Sequence, residues 1–162
     1  MIVVQRLALA HSHYLDAINR LLPQLSQSAL PIGYNALVSL LSDSNTLVFA
    51  AVDDTRPAPD NLAGTATLFF QERIEGTLAE VHSVVVDNNY RGQGIGDLLT
   101  KAMIDAAKDY AARTGKKVSV YLTSNPKRVA ANALYQKHGF ELVATATSTL
   151  NGTNLYKLVI TP

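Results

Sequence analysis

The chain contains no cysteine. That removes disulfides, thiolate nucleophiles and cysteine zinc sites together. Tryptophan is also absent, and charged residues make up only 17% of the 162 residues. Lysine and arginine, 14 in all, nearly balance 13 aspartates and glutamates, for a formal net charge of +1. Lys116-Lys117 and Lys127-Arg128 are local pairs rather than a stripe, so a dedicated nucleic-acid binder is not expected. No apolar run is long enough to cross a membrane, and Met1-Ile2-Val3-Val4-Gln5-Arg6 lacks the apolar core of a signal peptide. The cytoplasm is therefore the expected location. His11 and His13 stand two apart with no carboxylate at a matching spacing, so no metal is expected there.

What the chain does have is hydrophobic residues, 48% of the total, enough for one globular domain over residues 1–162. Residues 2–7 read as a first strand. Residues 11–22 read as a helix with Leu15, Ile18, Leu21 and Leu22 on one face, Ser12 as its cap and Pro23 disturbing its end. A second helix is expected over 35–41, then a strand over 46–52 and a loop over 53–61 holding Pro57 and Pro59. Strands over 62–70 and 78–86 form a hairpin across residues 71–76. A long helix covers 97–113, with Gly115 as its stop. A strand follows over 117–122, then a helix from Pro126 to Lys137 that Gly139 ends. The tail reads as a hairpin, strands 141–150 and 154–160 about an Asn151-Gly152 turn. The result is an α/β (α+β) domain, a mixed sheet of about seven strands with about four helices on its faces.

The most informative stretch is residues 79–113. Its β-branched strand, 79–86, runs into a polar turn, Asp87-Asn88-Asn89-Tyr90. Then Arg91-Gly92-Gln93-Gly94-Ile95-Gly96 opens the long helix, whose apolar positions Ile95, Leu98, Leu99, Ala102, Met103 and Ala106 share one face. Three alternate glycines let several backbone N–H groups converge where a helix leaves its first donors unpaired and its dipole is positive. A simple turn needs one glycine rather than three. Such a place binds phosphate. It is not a dinucleotide fingerprint, because Asp97 stands where the third glycine belongs and a polar turn intervenes. The G-x-x-x-x-G-K-[ST] loop is absent too. A phosphate-bearing ligand other than NAD or ATP is expected.

A second stretch completes the pattern. Ala131-Asn132-Ala133-Leu134-Tyr135 followed by Gly139-Phe140, taken with Arg91-x-x-Gly94-x-Gly96, resembles the GCN5-related N-acetyltransferases, the GNAT family. The resemblance covers residues 46–140. It implies a mostly antiparallel sheet splayed between its fourth and fifth strands, and acetyl-CoA as cosubstrate. It places the pyrophosphate on Arg91, Gly92, Gln93, Gly94, Ile95 and Gly96, and the pantetheine arm against the backbone of Val84, Val85 and Val86. Tyr135 would be the general acid that protonates the departing thiolate, since an ordinary phenol, with a pKa of about 10, is protonated at neutral pH. Many relatives have an asparagine seven residues before that tyrosine; here Arg128 stands there. That leaves Asn125, Asn132 or Arg128 as the polar contact from the helix side.

The attacking amine must first lose a proton. His82 and Glu80 alternate onto one face of the strand, unless a bulge changes the facing. Histidine as a residue type titrates near neutrality, whereas a carboxylate acts only with a raised pKa or through a relaying water. Both remain candidates for the base. Tyr14, Tyr34 and Asn35 lie on the segment that covers the acceptor in this family. The implied reaction is direct attack in a ternary complex on acetyl-CoA by a primary amine: a small amine, an amino acid or a protein amine. Transfer of another acyl group such as succinyl, or a non-catalytic CoA sensor on the same fold, are the alternatives. The resemblance also allows a homodimer paired through the C-terminal hairpin.

Overall fold

The computed structural model describes residues 1–146 and 152–162. Its strands are β1 (Ile2–Arg6), β2 (Thr46–Asp53), β3 (Leu62–Arg73), β4 (Gly76–Val86), β5 (Val118–Ser124), β6 (Glu141–Ala146) and β7 (Thr153–Ile160). Its helices are α1 (Leu15–Leu25), α2 (Tyr34–Ser42), α3 (Ile95–Thr114) and α4 (Val129–Lys137). The strands form one 7-stranded sheet in the order β1-β2-β3-β4-β5-β7-β6. Every neighbouring pair is antiparallel except β4 and β5. Those two pair only from Thr77 opposite Val118 to Glu80 opposite Tyr121. Beyond that point β4 stays with β3 and β5 stays with β7, so the sheet opens into a V. The backbone of β4 facing the V has no β5 partner, and such groups seek one.

Two apolar layers sandwich the sheet. On one face, Leu68, Phe70, Ala79, Val81, Val118 and Val120 pack against a stripe of α3, from Ile95 through Leu99 and Met103 to Ala107 and Ala111. Those α3 positions recur at helical spacing, which is why a strand-facing helix forms here. On the other face, Ala17 and Leu21 of α1 pack over Val48, Ala50, Leu62 and Val85.

Strand parity changes in the middle of β4. Ala79 and Val81 face α3, but Val85 faces α1, while Val84 and Val86 join the α3 side. The cause is a bulge: Thr67 stands opposite His82, yet Thr65 stands opposite Val85, so β4 carries one extra residue. Ser83 takes it up at a left-handed φ of 53°. The bulge falls after His82, so Glu80 and His82 keep their common face.

Several expected boundaries move. A 3₁₀ helix, Leu9–Tyr14, precedes α1, so Ser12 is not the cap; Tyr14 holds that position without a side-chain cap bond. His11 instead accepts the Ala8 N–H on Nδ1 at 2.9 Å. Pro23 sits inside α1, which runs on to Leu25 because Leu25 packs into the α1-side core. The β3–β4 pairing reaches Arg73 opposite Gly76, which shortens the hairpin turn to Ile74 and Glu75. Helix α4 starts at Val129 rather than Pro126. Asn125 folds the chain into a turn first: its Oδ1 accepts from the Lys127 N–H at 2.8 Å and its carbonyl from the Arg128 N–H at 3.0 Å. Residues 147–150 of the expected strand, and Asn151 of the expected turn, lie outside the described residues.

Candidate active site

The end of β4 leads into the glycine-rich turn through Asp87. This buried carboxylate accepts from the Asn89 N–H at 2.9 Å and lies 3.6 Å from the Arg20 guanidinium. Gly92 and Gly94 then take φ values of 78° and 77°, a region that side-chain-bearing residues rarely adopt. Gly94 is the N-cap of α3 and supplies no side-chain cap. The first N–H groups of the helix are thereby left for a ligand. Gly96 has a different reason to lack a side chain. A Cβ there would stand 3.3 Å from Cδ2 of Leu134, where α4 crosses close to α3.

A cavity of about 590 Å³ opens over this turn and into the V. Val84, Val85 and Val86 form one wall, with Arg91, Gly92, Gly94, Ile95 and Gly96 at the end of it. The opposite wall is the start of α4, with Lys127, Arg128, Val129 and Tyr135. Val129 is 73% exposed, an apolar side chain with nothing over it except this cavity. Gln93 does not line the cavity; its amide turns toward the Asn89 carbonyl, 3.5 Å away. A smaller cavity of about 130 Å³ continues the space, sharing Leu25, Val84, Arg128 and Tyr135 with the first. Val81, His82, Ser83, Leu122 and Thr123 complete its lining.

Tyr135 therefore stands where the two cavities meet. It is 3% exposed and packs against Phe140 and Tyr156, with ring centroids 6.0 and 6.1 Å away. Burial pushes its hydroxyl above the ordinary phenol pKa, against a smaller opposing pull from the Arg128 charge. A group so placed stays protonated at neutral pH and can donate. His82 lines the second cavity, and its Nε2 lies 2.9 Å from Oε2 of Glu80. Glu80 itself borders neither cavity.

Two expected ligand contacts are otherwise engaged. Asn125 spends its polar groups on the turn before α4. Asn132 is buried, and its Nδ2 donates to the carbonyls of Asn125 at 3.0 Å and Pro126 at 3.4 Å. Neither lines the cavities, and of the three candidates Arg128 is the one exposed to both cavities. Asn132 Oδ1 and Ser124 Oγ are buried without a partner among the described residues.

The three expected acceptor contacts do not come together. Tyr14 is 3% exposed and donates its hydroxyl to Asn61 Oδ1 at 3.0 Å, so it belongs to the core. Tyr34 and Asn35 are exposed at the start of α2 and line neither cavity. Between α1, α2 and the β4 bulge lies instead an apolar cavity of about 110 Å³, bordered by Ile18, Leu22, Leu37, Thr67 and Ser83. Sequence reading missed these residues, along with Leu25, Thr123 and Val129. Leu22 and Ile18 carried a signal, the apolar face of α1; Ser83 carried none.

A splayed sheet whose free strand edge ends on a glycine-rich turn at a helix N-terminus is the architecture of a GNAT-type acetyltransferase. The comparisons agree: the profile of the acetyltransferase (GNAT) family matches residues 15–140, and the chain belongs to that family. The fold matches Arabidopsis thaliana NAA60 in complex with acetyl-CoA, with a TM-score of 0.70 at 20% identity over 99% of each chain. It matches the ribosomal-protein-S18-alanine N-acetyltransferase from Escherichia coli, with a TM-score of 0.65 at 19% identity over 100% of this chain and 96% of that one. The NatC complex bound to Gag peptide and CoA gives a TM-score of 0.73 at 21% identity over 99% and 98%. Among curated protein sequences none matches the chain.

Proposed function

We propose that this protein transfers the acetyl group of acetyl-CoA to a primary amine by direct attack in a ternary complex. The observation that carries the reading is the position of Tyr135, a buried and protonated phenol at the junction of the long cavity and the pocket holding His82. The N–H groups of the turn from Gly92 to Gly96 and the start of α3 bind the pyrophosphate. The pantetheine arm lies in the V and pairs with the unpartnered backbone of Val84 to Val86, as an added strand would. Arg128 and Lys127, on the facing wall, add positive charge beside the phosphates.

His82 takes a proton from the acceptor ammonium, with Glu80 holding its ring. The free amine nitrogen attacks the thioester carbonyl carbon, forming the N–C bond. The attacking nitrogen, cationic once the N–C bond forms, loses its second proton to solvent. As the tetrahedral intermediate collapses the C–S bond breaks, and Tyr135 donates its proton to the leaving sulfur and regains one from solvent. The products are the amide and free CoA. The similar folds bound to a peptide or acting on a protein alanine support an amine acceptor, and peptide amines are the first class to assay. Calorimetry with acetyl-CoA, followed by release of CoA thiol across a panel of amines and peptides, tests the reading. Binding with acceptor-dependent thiol release is expected. Binding without release on any acceptor overturns the enzyme reading and leaves a CoA sensor.

A further inference from the structure

Charge is distributed differently on the two faces of the sheet near the β3–β4 turn. On the α3 face, Glu72 gathers Lys116, Tyr110 and Thr77 around one carboxylate. Those bonds, led by Lys116, hold its pKa at about 2. The next residue along the chain from Glu72 and from Lys116, Arg73 and Lys117, lies on the opposite face. There they join Lys157 around a cavity of about 210 Å³ floored by Leu78, Ser119 and Tyr121. Among the described residues none of the three cations forms an ion pair. Arg73 donates to Gln71 Oε1 at 3.2 Å, and the Lys157 ammonium lies 5.4 Å above the Tyr121 ring. The nearby carboxylates are Glu75, on the rim, Glu141, opposite Lys157 in the β6–β7 register, and Glu80, opposite Tyr121 in the β4–β5 register. Three cations against one lining carboxylate make this an anion-seeking cavity.

Its position gives it meaning. Leu78 pairs with Ser119, and Glu80 with Tyr121, whose other neighbour is Lys157. Side chains alternate along a strand, so Leu78, Glu80 and His82 share one face. The basic cavity and the His82 pocket are thus two ends of one track along β4, with the Glu80 carboxylate between them. The four-residue step from Leu78 to His82 spans about 13 Å.

We propose that this cavity holds a carboxylate of the acceptor, which makes the acceptor a dipolar molecule with its amine at His82 and its acid about 13 Å away. An extended peptide N-terminus with an acidic side chain at its third or fourth residue has that reach. Glu80 draws the ammonium to one end of the track; Arg73, Lys117 and Lys157 draw the acid to the other. The inference rests on His82 marking the reactive end, as in the proposed function.

The test uses five-residue alanine peptides carrying one glutamate, or one glutamine, at each position from the second to the fifth. Turnover is read by CoA thiol release, and binding of labelled peptide to the CoA-loaded protein by anisotropy. The glutamate peptide with its acid third or fourth should show a KM and a dissociation constant at least tenfold below its glutamine twin. The Lys117→Gln/Lys157→Gln variant should lose that preference while kcat and acetyl-CoA affinity hold. Equal handling of glutamate and glutamine peptides at every position overturns the inference, even if all are acetylated. So does a preference that survives the double variant. Charge-selective binding without turnover would leave the inference standing and defeat the proposed reaction instead.

Discussion

Nε2 of His82 lies 2.9 Å from Oε2 of Glu80, two residues back on the same face of β4. The ring borders the Tyr135 pocket and the carboxylate does not. His82→Ala should therefore lower kcat by about 10² to 10⁴, the range of general-base catalysis. Glu80→Ala removes only the group that orients the ring and should cost less. Steady-state kinetics on both variants decide it. A larger loss from Glu80→Ala would make Glu80 the base, acting through water.

Gly94 and Gly96 should respond differently to the same added methyl. Gly94 sits at φ 77°, where a Cβ costs about 1–2 kcal/mol. Gly94→Ala should lower Tm and weaken acetyl-CoA binding at least tenfold in the folded fraction, since the turn's N–H groups no longer converge. Gly96→Ala keeps a helical backbone and asks only Cδ2 of Leu134, 3.3 Å away, to shift. Its effect on affinity should be the smaller, by calorimetry on both.

Asn132 should matter to stability rather than to the cofactor. Asn132→Ala removes the side-chain donor to the partly exposed carbonyls of Asn125 and Pro126, a loss of about 0.5–1.5 kcal/mol. Denaturant unfolding should register that loss, while the dissociation constant for acetyl-CoA stays within about threefold, about 0.7 kcal/mol. A selective loss of affinity with unchanged stability would return Asn132 to the ligand side.

Glu72 sets an acid limit to stability. Lys116, Tyr110 and Thr77 hold its folded pKa at about 2, below its ordinary 4.5. A depressed folded value means the stabilisation is complete above the ordinary pKa and is lost as pH falls toward 2. The Tm of the wild type should fall between pH 4.5 and 2 more steeply than that of Glu72→Gln, which should already be less stable at pH 7. Parallel curves would remove Glu72 from the account.

Most of the architecture was legible because it rests on local signals. The β-branched strand, the alternate glycines and the apolar stripe of α3 each specify their own structure, and together they placed the cavity over the glycine-rich turn. What was not legible depends on partners distant in sequence. The bulge at Ser83 arises from pairing with Thr65 and Thr67, and nothing in Val81-His82-Ser83-Val84 announces it. Tyr14 looked available for an acceptor until Asn61, far along the chain, took its hydroxyl. Asn125 and Asn132 looked like ligand contacts because asparagine suits both roles; the turn before α4 uses them first. Pro23 was read as a helix end, yet the packing of Leu25 outweighs the one bond it removes.

The most direct test of the central claim is kcat for Tyr135→Phe, measured by CoA thiol release at saturating acetyl-CoA and acceptor. Phenylalanine keeps the packing against Phe140 and Tyr156 and removes only the proton donor. A fall of about 10² to 10⁴ in kcat, with acetyl-CoA affinity unchanged, is the predicted result. Turnover equal to the wild type would contradict it, and the proton for the leaving thiolate would have to come from elsewhere.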